Sequence, residues 1–330
     1  MLRCLAILFA LALPGAVSAA CDGQDLIDTL SDQERAELDA QVAATVYPEG
    51  LLWRATRKDG TEITIFGTYH FRHEQTDAHL EALKPMIEAA DQVYLEISNE
   101  DQAQMQRDMA EDPSIMFITE GPTLPDLLGE ADWQAFSEQM KARNIPAFMA
   151  AKFKPLWATM MLGIGPCEAR SGALEAHGID KLVGDYAAEI GNPSRSLEQF
   201  GELMRLLDEE PVDKQIDLIR LTLAWPGDTD DLSYTIRQRY LAEEIALTWE
   251  FSRLISLKYG GPTAEEDFQR MSDMLLERRN TDWIELLLRE APGKHVFIAA
   301  GAGHLPGDIG VLYLLEQEGF TIERLPMPRG

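Results

Sequence analysis

Two short stretches of sequence, IFGTYH at residues 65–70 and AAGAGH at residues 299–304, decide the fold. In each stretch an apolar run reaches a glycine, and a histidine follows three residues later. The apolar run predicts a buried strand, and the glycine allows a sharp turn at its end. Ligands of open α/β sheets collect outside the carboxyl ends of the strands. The repeat therefore predicts that His70 and His304 lie together at one edge of a sheet.

The sequence around each stretch predicts alternating strands and helices. The amino-terminal part gives strands at 51–56 and 61–66, a helix at 77–90 and a strand at 92–97. The carboxyl-terminal part gives a strand at 295–300, a glycine-rich loop at 301–307, a helix at 308–318 and a strand at 320–325. A lysine–aspartate–glycine turn at 58–60 predicts a hairpin between the first two strands.

The sequence between the amino-terminal and carboxyl-terminal parts predicts mainly helices. Proline and glycine interrupt residues 100–290, and no long flexible linker separates independent units. A further short strand is predicted at 194–197, and a capping box opens a helix at 31–44. We therefore predict an α/β fold in which two pseudo-symmetric βα halves form a central sheet region. Residues 21–330 are expected to be a single domain with a helical insertion at about 100–290.

The first twenty residues have the features of a secretory signal peptide. A short positive start is followed by a ten-residue apolar run, a proline–glycine break and small residues. Cleavage after Ala19 or Ala20 would deliver the chain to the periplasm or outside the cell. A lipoprotein anchored through Cys21 is less favoured, because Ser18 stands where a lipobox usually has a large aliphatic residue. No later apolar stretch is long enough for a transmembrane helix, so no stable membrane insertion is expected.

The charge of the chain limits the kinds of partner that it can bind, and its cysteine content limits the possible cross-links. The 330 residues carry 56 acidic and 29 basic side chains, a formal net charge of -27. Such a surface repels phosphate backbones and anionic lipid, so we expect no nucleic-acid partner. Cys21 and Cys167 remain after cleavage, and in an exported protein they either form one disulfide or stay as two independent thiols.

The residues at the predicted strand ends suggest a metal site. His70 and His304 follow two strands, and Glu96 lies at the end of a third. Two imidazoles and one carboxylate are a common ligand set for a catalytic divalent metal that keeps a position open for water. His73 could join His70 if that turn is helical, but we expect it to be exposed after the loop. The remaining histidines have no matching geometry.

The common hydrolase motifs are missing from this sequence. There is no Gly-x-Ser-x-Gly elbow for a serine nucleophile and no His-Glu-x-x-His helix of a zinc protease.

Six short motifs, in this order, resemble those of TraB/GumN-type proteins. They are GTYH at 67–70, YLEI at 94–97, GID at 178–180, LEQ at 197–199, RNxxW at 279–283 and GAGHLxG at 301–307. The resemblance covers nearly the whole mature chain. It implies kinship with the Tiki metalloproteases, which use manganese or cobalt, and with a wider group of erythromycin esterases and haem-binding ChaN proteins. By position it assigns metal or catalytic roles to His70, Glu96 and His304, and polar site roles to Glu198 and Arg279.

The sequence therefore predicts a metal-dependent hydrolase that acts on a peptide or small-molecule substrate. Cleavage of a peptide bond is the preferred reaction. Manganese or cobalt is the expected ion, with zinc as a further option. Glu96 or Glu198 could act as general base, and Arg279 could stabilise a developing oxyanion. Alternatively, Arg279 pairs with surface acids. The alternative function is a non-catalytic protein of the same fold that binds haem, a metal or another ligand.

Overall fold

A computed structural model describes residues 21–172, 177–201, 204–205 and 210–327 of the chain. The predicted signal peptide at 1–20 lies outside the described residues. Within these residues, six strands form one mixed sheet: β1 (Leu52–Thr56), β2 (Glu62–Thr68), β3 (Gln92–Leu95), β4 (Arg195–Ser196), β5 (His295–Gly301) and β6 (Thr321–Leu325). Their spatial order is β4-β3-β5-β2-β1-β6. Strand β1 runs antiparallel to its neighbours β2 and β6, whereas β4, β3, β5 and β2 are parallel.

The α-helices, numbered along the described chain, occupy most of the rest. They are α1 (Asp32–Ala44), α2 (Thr76–Ala89), α3 (Asn99–Glu111), α4 (Leu124–Leu128), α5 (Glu130–Ala142), α6 (Ala147–Ala150), α7 (Pro155–Gly163), α8 (Pro166–Arg170), α9 (Ile179–Glu189), α10 (Val212–Ala224), α11 (Thr229–Leu241), α12 (Ile245–Tyr259), α13 (Ala264–Ser272), α14 (Arg278–Glu290) and α15 (Val311–Gln317). The mixed α/β fold and the helical middle are as predicted.

Strands β2 and β5, which carry the two repeated stretches, are adjacent and parallel. Their register pairs Phe66 with Ala299 and Thr68 with Gly301. One unit runs β2-α2-β3 and the other β5-α15-β6. Alternate residues of β5 face opposite layers: Phe297 packs with α2 and α9, whereas Ile298 packs with α14 and α15. The two repeated stretches are therefore neighbours in the middle of the sheet. Helices cover both faces of the sheet at this point.

Some predicted element boundaries differ from the observed ones. The last helix begins at Val311 rather than at residue 308, because Gly307 has a φ of +90° and Gly310 is the N-cap residue. Strand β3 ends at Leu95, so Glu96 already lies in the turn beyond it. The capping box of α1 is confirmed, with the Ser31 side chain accepting from the Glu34 N–H.

The helical middle has a core of its own, and a disulfide joins its helix α8 to the segment before α1. Buried apolar side chains of α4, α5, α7 and α10 form this core, among them Phe136 and Ile219. A disulfide joins Cys21 to Cys167 across a Cα–Cα distance of 6.0 Å, which confirms the paired alternative. Within the described residues, no helix has the length and apolar character needed to span a membrane.

Candidate active site at the carboxyl edge of the sheet

Four neighbouring parallel strands each end at a polar side chain of the site. In sheet order, Glu198 follows β4, Glu96 follows β3, His304 follows β5 and His70 follows β2. The pairing of β3 and β4 continues past their ends, since the backbone N–H of Glu198 donates to the carbonyl of Glu96. Parallel strands present their carboxyl ends on one edge, so residues far apart in sequence meet here.

Gly301 marks the point where three of these side chains converge. A methyl group placed on its Cα would lie 3.0 Å from Glu96 Oε1, 3.5 Å from His70 Nε2 and 3.7 Å from His304 Cδ2. The space beside Gly301 is therefore bordered by two imidazoles and one carboxylate. The structure brings together the three residues that the sequence predicted as a set.

Arg279 joins the two glutamates. Its Nη2 donates to Glu96 Oε2 at 2.7 Å, and its Nε donates to Glu198 Oε2 at 2.9 Å. The Arg279 side chain is only 11% exposed, and both carboxylates are similarly buried. These contacts contradict the alternative in which Arg279 pairs with the surface acids Glu277 or Asp282. The Arg279 guanidinium and the two buried carboxylates therefore form one ionic cluster within the site.

The helix that carries Arg279 has an irregular turn immediately before it. Residues Asp273–Glu277 form a π-helical turn between α13 and α14. The carbonyl of Leu275 in that turn accepts from Arg279 Nη1 at 3.0 Å. Wide turns of this kind are found often at functional sites, where they shift the side chains that follow.

His304 lies in a closed environment and contacts a neutral side chain, that of Asn280. Its Nδ1 is 2.6 Å from the Oδ1 of Asn280, and its ring packs against Trp283 at 4.3 Å between centroids. The residue is only 5% exposed. Burial lowers the pKa of His304 to about 3, an effect that Glu96 opposes and the charge of Arg279 increases. The imidazole is consequently neutral at neutral pH.

His70 lies in an open and charged environment. Its side chain is 64% exposed, and its Nδ1 is 3.3 Å from Asp180 Oδ2. The other oxygen of Asp180 accepts a hydrogen bond from the hydroxyl of Thr68. The negative charge of Asp180 raises the pKa of His70 to about 9, although the partial loss of water around the ring opposes the change.

Gly178 allows Asp180 to come this close. A methyl group on Gly178 would lie 2.1 Å from the carbonyl oxygen of His70. The amino-terminal end of α9 therefore packs directly on the turn that carries His70, which only glycine permits. This gives a structural reason for the glycine of the GID motif.

The two glutamates differ in their protonation. Burial would raise the pKa of Glu96, but the charges of His70 and Arg279 and the hydrogen bond from the Gly301 N–H hold it well below its usual value. Burial raises the pKa of Glu198 above its usual value, despite its contacts with Arg279. Glu96 is thus a firmly ionised carboxylate, and Glu198 is the more basic of the pair.

Two clefts approach this cluster. The histidine cleft, of about 600 Å³, is bordered by His70, Glu96 and Asp180. The glutamate cleft, of about 1020 Å³, is bordered by Glu198 and by apolar side chains such as Trp157. Both volumes are large enough for part of a ligand of peptide size.

Helix α3 separates the two clefts. Asn99 and Gln102 border the histidine cleft, and Gln104 and Met105 border the glutamate cleft. No residue of this helix is buried, and it begins just after Glu96 with Ser98 as its N-cap.

The residues beside Gly301 fit a divalent cation in donor type but do not form a closed set of ligands. Across residues 21–172, 177–201, 204–205 and 210–327, no three His, Cys, Asp or Glu side chains are arranged to hold an ion. Both Glu96 oxygens already accept hydrogen bonds, Oε1 from the Gly301 N–H and Oε2 from Arg279. Two imidazoles and a carboxylate nevertheless match the donor preference of catalytic zinc-type ions, and the Nε2 of His70 faces the shared space.

The prediction that His73 is exposed was wrong. It is buried, and its ring lies 5.4 Å from that of Tyr240 and 5.3 Å from that of His79. Tyr240 belongs to α11, far along the chain, so local sequence did not indicate this packing. Burial lowers the pKa of His73 to about 4.

Sequence reasoning gave no role to two polar residues that contact the histidines, Asp180 and Asn280. Both belong to motifs quoted above, but each sits in a helix whose orientation toward the sheet is not encoded locally. Only their positions in the sequence could have indicated a role, because Asn280 directly follows Arg279 and Asp180 lies two residues after Gly178.

Comparison with known proteins gives one match. A family model described as the TraB/PrgY/gumN family matches residues 51–324, which is most of the chain and includes every site residue discussed here. A search of curated proteins finds no match to this chain.

Proposed function

This chain belongs to the TraB/PrgY/gumN family, and we propose that it is a metal-dependent hydrolase, in first place a peptidase, that acts in the periplasm. One observation carries the proposal. His70, Glu96 and His304 border one small space beside Gly301, next to a buried arginine. Nitrogen and oxygen donors with an adjacent cation are the components that hydrolytic metal sites combine.

His70, Glu96 and His304 would hold the ion, for which manganese, cobalt and zinc are the candidates. When bound, a divalent ion lowers the pKa of a water molecule and polarises a carbonyl group. The neutral ring of His304 can donate a lone pair without first losing a proton, whereas His70 must lose one.

Glu198 and Arg279 would serve the substrate. Glu198 borders the larger cleft, and burial raises its pKa, so it is a better proton acceptor than Glu96. Arg279 can donate one further hydrogen bond, from Nη1, to an oxygen that gains negative charge, while Glu96 and Glu198 hold its guanidinium in place. The glutamate cleft is lined by apolar side chains such as Trp157 and by charged ones such as Asp101 and Lys154, so it offers contacts to both kinds of peptide side chain.

The disulfide supports the periplasmic part of the proposal. Disulfides persist in oxidising compartments and are rare in the cytosol. The bond also occupies the Cys21 sulfur, which a lipid anchor would need for its own thioether. The bridge therefore favours a chain without a lipid on Cys21.

The test uses glycines that flank the site. Gly301→Ala places a methyl group between the three side chains, and its φ is not in the positive region that alanine disfavours. Gly303→Ala is the matched control, since nothing lies within 4 Å of the added methyl group. Both variants and the wild type are incubated with Mn²⁺ and a peptide library, and cleavage is read by mass spectrometry. We expect cleavage by the wild type and Gly303→Ala but not by Gly301→Ala.

Two outcomes would contradict the proposal. Equal cleavage by Gly301→Ala would remove the shared space from the reaction. Absence of metal-dependent cleavage by the wild type, together with tight retention of haem or another ligand, would favour the non-catalytic alternative.

A further inference from the structure

Asn280 fixes which nitrogen of His304 carries the proton. The Nδ2 of Asn280 donates to the backbone carbonyl of Ile309 at 2.8 Å, and a carbonyl can only accept. This contact orients the amide, so that Oδ1 faces His304 Nδ1 at 2.6 Å. Because Oδ1 can only accept, the ring must donate from Nδ1. The lone pair of the neutral imidazole is then on Nε2.

We propose that Asn280 is a positioning residue that holds His304 in the Nδ1–H tautomer, with Nε2 available to a ligand beside Gly301. This inference deepens the proposed function, because it assigns the atom through which His304 would bind the ion. A partner on the second ring nitrogen commonly orients a metal-binding histidine and increases its basicity.

The surroundings prevent the ring from adopting another orientation. Asn280 is fully buried, so no water competes for its amide. Trp283, one helical turn later on α14, packs against the ring at an interplanar angle of 34°. Arg279, the neighbour of Asn280 in sequence, reaches the two glutamates. One turn of α14 therefore positions both the carboxylate side and the imidazole side of the site.

The first test needs no variant that could misfold. The metal-free wild type is labelled with ¹⁵N-histidine, and two-bond ¹H–¹⁵N correlation spectra are recorded at neutral pH. The chain has six histidines, and His304→Gln identifies the signal of interest. We expect a protonated Nδ1 and a pyridine-like Nε2. A His304 signal of the Nε2–H tautomer would overturn the inference.

The second test measures Mn²⁺ affinity by electron paramagnetic resonance. Asn280→Leu removes the acceptor and is expected to weaken binding by about 10–100-fold. Asn280→Asp keeps an acceptor oxygen and should recover much of the loss, and Thr281→Ala on the exposed side of the same turn should bind like the wild type. Thermal unfolding of each variant reports whether the fold is kept.

The two proposals can fail separately. Wild-type affinity in a folded Asn280→Leu would overturn the role of Asn280 while leaving the metal site intact. Absence of Mn²⁺ binding to the wild type, with His304 in the Nδ1–H form, would overturn the proposed function while supporting the role of Asn280.

Discussion

The turn after β2 and the turn after β5 begin with the same sequence pattern but create opposite environments. His304 is buried, touches the neutral Asn280 and has a pKa of about 3. His70 is mostly exposed, faces the charged Asp180 and has a pKa of about 9. A repeated motif thus positions two imidazoles alike, while helices from elsewhere in the chain set their protonation. At neutral pH the metal-free site holds one neutral and one charged ring.

The largest effect is expected from replacing Arg279, which contacts both glutamates of the site. Arg279→Ala should lower turnover by about 10²–10³-fold, the usual loss for one donor to a developing oxyanion, and leave metal content nearly intact. It also leaves Glu96 and Glu198 buried without a cation, which typically costs about 3–5 kcal/mol of stability.

Steady-state kinetics, metal analysis and thermal unfolding separate these effects. Arg278→Ala is the matched control, because that side chain is exposed and contacts Asp273 instead. Unchanged turnover in Arg279→Ala would remove the arginine from the mechanism. Loss of metal in that variant would assign it to the metal site.

The pKa of His70 predicts how metal affinity depends on pH. A charged ring must release a proton before it can bind a cation, so affinity for Mn²⁺ should rise about tenfold per pH unit below pH 9. In Asp180→Asn the ring loses its negative neighbour, and the rise should level off nearer pH 6.5. Isothermal titration between pH 6 and 9.5 measures both curves. The same pH profile in both proteins would show that Asp180 does not control His70.

The same pKa also has a consequence for stability without metal. Because the folded-state pKa of His70 exceeds its value in the unfolded chain, its contribution is fully present below about pH 6.5. It is lost as the pH rises through about 9. The difference in melting temperature between wild type and His70→Gln should therefore shrink from pH 6 to pH 10. A constant difference would contradict the raised pKa.

The close packing of α9 on the His70 turn can be disturbed alone. Gly178→Ala forces the helix end away from the His70 carbonyl and displaces Asp180. At pH 9 and above, where protonation of His70 no longer competes with the metal in either protein, this should weaken metal binding by about tenfold. Gly163→Ala, where an added methyl group meets nothing within 4 Å, is the control. The ring signal of His304 should stay in place. A shift of His304 as large as that of His70 would show that the two turns are not independent.

Of the changes considered, reduction of the disulfide should have the smallest effect on the two turns. It should not affect both turns equally. The carbonyl of Cys21 accepts from Arg237, and Tyr240 of the same helix donates to the carbonyl of Gly67 at the end of β2. Reduction should lower stability by about 2–5 kcal/mol, and it should change the environment of His70 more than that of His304. Melting curves and histidine NMR spectra with and without reductant test this. Equal changes at both rings would contradict the path through α11.

The sequence predicted the sheet and the convergence at its edge for a physical reason. Apolar runs, glycine turns and parallel strand ends are local features whose meeting point follows from the topology of α/β sheets. The partners of the histidines were not predictable in this way. Asp180 and Asn280 sit on helices, and which polar side chain of a helix faces the sheet depends on tertiary packing. His73 was misjudged for the same reason, since Tyr240 covers it from a distant helix.

The most direct test is a crystal structure of the protein soaked with Mn²⁺ and measured at the manganese absorption edge. We expect one anomalous peak beside Gly301, bonded to Nε2 of both His70 and His304 and to an oxygen of Glu96. Arg279 should stay within hydrogen-bonding distance of Glu198. A peak elsewhere, or a metal bound by only one of the two histidines, would contradict the claim that the repeated turns build a single site.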